Sequence, residues 1–118
     1  MEIDVVTLFP QWFDWFREQR HVANALEGGS TLRALDLREH TPLNAGQVDD
    51  TPFGGGAGMV LRVDAMDAAL RGFYGMDPVE LPSRRRVIAL TPGGRVLDEQ
   101  LVNELAAEPA LLVATSRA

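Results

Sequence analysis

A chain of 118 residues with 46% hydrophobic and 24% charged content has the size and composition of one soluble globular domain. No apolar run approaches the roughly 20 residues of a membrane helix, and the acidic start Met1-Glu2-Ile3-Asp4 is not that of a signal peptide. The absence of cysteine excludes disulfides and thiolate metal sites and fits a cytoplasmic protein. All eleven basic residues are arginine, which excludes lysine chemistry, and a net charge of −6 argues against broad non-specific nucleic-acid binding.

Residues 2–8 alternate and carry Ile3, Val5 and Val6, which predicts an opening strand. Pro10 suits a first helical turn, and a helix is expected over residues 11–20. Its Trp12, Phe13, Trp15 and Phe16 cover a broad face. Core packing accounts for them most simply, and the alternative is a tryptophan that faces a second subunit. A short helix over residues 21–27 should stop at Gly28-Gly29, with a second strand over 31–37. His21 and His40 are expected at the surface, without a catalytic role.

Asp64 is the expected N-cap of a helix running to Arg71, and residues 72–83, with Gly75, Pro78 and Pro82, are expected to form a loop. Arg84-Arg85-Arg86 is the only basic cluster, read first as a solvated strand entrance. Residues 86–90 predict an interior strand that ends in Thr91-Pro92-Gly93-Gly94. Asp98 should cap a helix to Ala107, and residues 110–114 form the last strand. Strands separated by helical stretches predict an α/β fold, a mostly parallel sheet with flanking helices. Ligands of such sheets sit beyond the carboxyl ends of the strands, where residues 91–94 fall.

The least ordinary stretch is Val48-Asp49-Asp50-Thr51-Pro52-Phe53-Gly54-Gly55-Gly56-Ala57-Gly58-Met59. It is not a P-loop, which requires a lysine, and its glycines miss the dinucleotide spacing because Met59 and Leu61 stand where the third glycine belongs. Adjacent carboxylates at Asp49 and Asp50 repel a phosphate but accept hydrogen bonds from a donor-rich group. The Watson–Crick edge of guanine offers N1–H and an exocyclic amine together, and Phe53 could stack on such an unpaired base. A turn or a weak cation site is the plainer alternative for the same pair.

Thr7-Leu8-Phe9-Pro10, the glycine loop 48–59 and Ile88-Ala89-Leu90-Thr91-Pro92-Gly93-Gly94-Arg95-Val96-Leu97-Asp98 occur in this order and spacing. Together they resemble the bacterial tRNA (guanine37-N1)-methyltransferases, the TrmD family of trefoil-knotted SPOUT enzymes, across the N-terminal half of the family's length. The resemblance implies an S-adenosyl-L-methionine-dependent homodimer that methylates N1 of guanine 37 in tRNA. It implies substrate contacts from Asp49, Asp50, Phe53, Gly54, Gly55, Gly56 and Gly58. It also implies a cofactor wall at residues 89–94, from Ala89, Leu90, Thr91, Pro92 and Gly93, with Ser116 in the segment beyond. No catalytic residue and no metal ligand is assigned.

The chain departs from the family pattern at Thr41-Pro42-Leu43-Asn44-Ala45-Gly46-Gln47, which is usually basic and histidine-containing, and at Thr51, often arginine. It reads Thr115-Ser116-Arg117-Ala118 where the family has Cys-Gly-Arg-Tyr and continues with Glu-Gly. Residues 1–118 are therefore expected to be one incomplete SPOUT-like domain, truncated before the knot and inactive alone. The alternative is a truncated paralogue that binds tRNA or dimerises without doing chemistry.

Overall fold

A computed structural model describes residues 1–40, 49–50, 60–61 and 63–115. The opening alternation forms β1 (Glu2–Thr7), which buries Asp4 and Val6 on one face. Pro10 begins a 3-10 turn, Pro10–Phe13, where its missing N–H leaves nothing unpaired. The single helix expected over residues 11–20 is instead broken. One α turn, α1 (Asp14–Arg17), is followed by extended Gln19 before α2 (Arg20–Glu27). The aromatic face is too broad for one helix to bury, and the break leaves Trp12 and Trp15 each 62% exposed rather than in the core.

Gly29, at φ +106°, closes α2 with a C-terminal pair of bonds: its N–H donates to Leu26 and that of Ser30 to Ala25. β2 (Thr31–Asp36) passes into a 3-10 turn, Leu37–His40, that buries Leu37. Two short strands, β3 (Asp49–Asp50) and β4 (Val60–Leu61), pair antiparallel. α3 (Val63–Tyr74) starts one residue before Asp64, so that carboxylate lies in the first turn and accepts from the Ala65 N–H instead of forming the N-cap. The loop expected over residues 72–83 is largely helical: α3 continues through Gly72, and Asp77 caps a 3-10 turn, Pro78–Ser83. Pro78 starts that turn without loss of a bond, and Leu81 anchors it in the core.

β5 (Arg86–Leu90), α4 (Glu99–Ala106) and β6 (Ala110–Thr115) complete a four-stranded, wholly parallel sheet of order β2-β1-β6-β5. β5 is thus an edge strand among the described residues, not the interior strand expected. A run of apolar residues reports side-chain character, not the number of neighbouring strands, and Leu90 is 56% exposed. The interior position belongs to β6, whose Leu112 is fully buried.

The core lies on one face, where Val6 and Leu112 meet Leu37, Ala65, Ala69 and Leu81. On the opposite face α2 and α4 stand apart, and Ile3, Val5, Leu111 and Val113 floor an apolar groove of about 810 Å³ between them. Among the described residues no helix is long and apolar enough to cross a membrane.

Candidate functional site

Because all four strands of the main sheet run the same way, their carboxyl ends form one rim. At β5 that rim is made by Ala89 and Leu90, both exposed, and by the exposed turn of Thr91, Pro92, Gly93 and Gly94. The Gly94 N–H donates to the Thr91 carbonyl at 3.1 Å. A β-carbon on Gly94 would lie 3.2 Å from that oxygen and 3.4 Å from Thr91 Cγ2, so the turn closes tightly because this residue has no side chain. Leu90, Thr91, Gly94 and Leu97 also line the end of the apolar groove.

The turn is tied to α4 through charge. Glu104 accepts from Arg86 at 2.8 Å and from Arg95 at 3.3 Å, and Arg86 also reaches Glu108 at 3.4 Å. The Arg86 hydrogen bond, followed by that of Arg95, holds the Glu104 carboxyl below its ordinary range. Exposed pairs of this kind add little stability. They do fix where Arg95, and with it the outgoing limb of the turn, sits over the helix.

At the other candidate element, β3 places the backbones of Asp49 and Asp50 opposite Leu61 and Val60. Phe53, Gly54, Gly55, Gly56 and Gly58 lie outside the described residues, as do Ser116 and residues 41–47. The two halves of the predicted site are therefore placed in part: the cofactor-side turn in full, the guanine-side loop only at its ends.

The arginine cluster is solvated only in part: Arg84 is exposed as expected, and its two neighbours are engaged. Arg85 is largely buried, with Nη1 3.1 Å from Asp4 Oδ2 and its guanidinium 5.0 Å from the Tyr74 ring centre, while Arg86 turns to α4. Asp4, only 1% exposed, also accepts two bonds from Arg33, at 2.8 and 2.7 Å, and one from the Tyr74 hydroxyl at 2.5 Å. Burial alone would raise the Asp4 pKa, but the bonds from Arg33 and Tyr74 and the charges of Arg33 and Arg85 outweigh it and hold the carboxyl below its ordinary value. Burial and then the bond to Asp4 push the Tyr74 phenol up. Sequence reasoning missed this cluster. Its signal was an aspartate in phase with inward-facing Val6, among the β-branched Ile3, Val5, Val6 and Thr7 of the strand. Among the described residues no three His, Asp or Glu side chains converge as metal ligands.

A parallel α/β sheet with an apolar recess and a glycine turn beyond its carboxyl rim is of the open-sheet class, in which ligands bind beyond the carboxyl ends of the strands. The chain belongs to the tRNA (Guanine-1)-methyltransferase TrmD family, whose model matches residues 1–118. It is 41% identical over 114 residues to a tRNA (guanine-N(1)-)-methyltransferase of Rhodospirillum rubrum, covering 96% of this chain and 45% of the relative. It is also 41% identical over 118 residues to a Frankia alni protein of the same name, covering 99% and 43%. The crystal structure of a tRNA (m1G37) methyltransferase from Aquifex aeolicus superposes with a TM-score of 0.77 at 31% identity, over 97% of this chain and 50% of that one. The chain spans about half the length of the curated relatives it matches.

Proposed function

We propose that this chain is the guanine-reading and cofactor-wall portion of an S-adenosyl-L-methionine-dependent enzyme that methylates N1 of guanine 37 in tRNA, acting in the cytoplasm as a homodimer. The observation that carries the reading is the family match along all of residues 1–118. In it, residues 1–118 form one incomplete SPOUT-like domain. One carboxylate of the Asp49–Asp50 pair accepts from both guanine N1–H and the exocyclic amine, Phe53 stacks on the base, and Gly54, Gly55, Gly56 and Gly58 let the backbone approach it. The antiparallel pairing of β3 with β4 supports this, because it holds the two ends of the glycine stretch side by side.

Ala89, Leu90, Thr91, Pro92 and Gly93, with Ser116, form one wall of the cofactor pocket. The exposed apolar end of β5 and the tight turn kept by Gly94 fit an adenosyl group laid against them. When bound, the cofactor supplies a sulfonium-bound methyl group. Transfer to N1 needs a positioned base for the N1 proton. Asp4 and Glu104 are committed to arginines and are not assigned that role.

Gel-shift titration with an anticodon stem-loop carrying guanine or adenine at position 37 tests the base-reading assignment. The guanine form should bind about tenfold or more tightly, a gap of at least ~1.4 kcal/mol, and the preference should vanish in an Asp49→Asn, Asp50→Asn double variant. Equal binding of both hairpins by the unaltered chain contradicts the assignment.

A further inference from the structure

Beyond the carboxyl ends of β1 and β2 three side chains stand in contact. The Phe9 and Trp12 rings stack with centroids 4.3 Å apart and planes 14° from parallel, and the Arg38 guanidinium lies over the Phe9 ring, 5.6 Å from its centre. Each member is pinned. The Phe9 N–H donates to Thr7 Oγ1 at 3.0 Å, the Trp12 N–H to the Phe9 carbonyl at 3.0 Å, the Arg38 N–H to Asp36 at 2.9 Å and Arg38 Nη1 to the Leu8 carbonyl at 3.1 Å. The aromatic surface is thus ordered before any ligand arrives, yet Trp12 leaves most of its area in water.

We propose that Trp12 is a stacking platform for an unpaired RNA base, held in place by Phe9 and Arg38. The proposal rests on the tRNA reading above and adds a second point of contact to it. Two observations favour a base as the occupant. An ordered aromatic flanked by arginine is what single-stranded nucleic acid uses, because every base has a π face and its phosphate attracts the cation. The 3-10 turn that holds Arg38, Leu37–His40, also precedes in sequence the segment proposed to read guanine.

Trp15 provides an internal control. It is as exposed as Trp12, but it meets Phe16 edge-on at 6.0 Å and is not part of the stack. The test is a fluorescence and anisotropy titration of the chain, of Trp12→Ala and of Trp15→Ala. The probes are a short RNA hairpin with a guanine-containing unpaired loop and the same stem as a blunt duplex. The hairpin should quench tryptophan emission in the unaltered chain and in Trp15→Ala. Trp12→Ala should bind it about tenfold more weakly, Trp12→Phe should recover most of the loss, and the duplex should bind less well than the hairpin throughout. Equal hairpin affinity of the unaltered chain and Trp12→Ala overturns the proposal, as does no hairpin binding or a duplex that binds equally. A shift from dimer to monomer in sedimentation of Trp12→Ala, with hairpin affinity unchanged, assigns the surface to a second copy and also overturns it. Replacing the loop guanine by adenine separates the two readings. Lost base discrimination removes the guanine assignment alone, whereas retained discrimination with an indifferent Trp12→Ala removes the stack alone.

Discussion

At the residue scale the account turns on a carboxylate that the sequence pattern would have put in a hydrocarbon position. Asp4 alternates inward with Val6, and it is tolerated there because Arg33 and the Tyr74 phenol donate to its oxygens and the Arg85 guanidinium adds a second positive charge at 3.1 Å. Asp4→Asn removes the nearer of two counter-charges from the largely buried Arg85, leaving Glu2 at 3.6 Å, and leaves Arg33 and Tyr74 with a weaker acceptor. The expected cost is about 2–4 kcal/mol, at the lower end of what breaking a buried pair costs because Arg33 is half exposed. Denaturant unfolding at neutral pH measures it. The pH dependence has a definite sign. The folded Asp4 pKa lies below the ordinary 3.8, so its contribution is complete above that value and is lost as pH falls through the folded pKa. Acid unfolding curves should therefore fall more steeply below about pH 4 for the unaltered chain than for Asp4→Asn.

Among the elements, α4 and α3 show what sequence reasoning resolves and what it does not. Asp98 was legible as a cap because an extended residue precedes a clear helical spacing, and its carboxylate does accept from the Leu101 N–H at 2.8 Å. Asp98→Ala should cost about 1 kcal/mol, read as a lower denaturation midpoint with an unchanged slope. Asp64 carries the same chemistry but sits one residue inside α3, since the pattern does not fix the first turn when Val63 also accepts helical angles. The parallel sheet, the Gly28-Gly29 stop and the turn after β5 were all predictable from local chemistry. The edge position of β5, the break at Gln19 and the burial of Leu81 depend on tertiary neighbours, and no window of sequence contains them. The candidate site divides the same way. The rim turn follows from strand direction, while the meeting of Phe9, Trp12 and Arg38 requires residues 26–29 positions apart to come together.

For the whole molecule, one face of the sheet carries a packed core and the other an open apolar groove that ends at the Thr91–Gly94 turn. The chain matches about half the length of its curated relatives, and the family model covers residues 1–118. A chimera in which residues 1–115 replace the corresponding half of the Rhodospirillum rubrum relative puts this portion to work. With S-adenosyl-L-methionine and tRNA bearing guanine 37, methylation at N1 is read as a primer-extension stop. The account predicts a stop at position 37, abolished with adenine there and reduced at least tenfold by Asp49→Asn with Asp50→Asn. A folded chimera that binds the cofactor yet leaves guanine 37 unmethylated would contradict it.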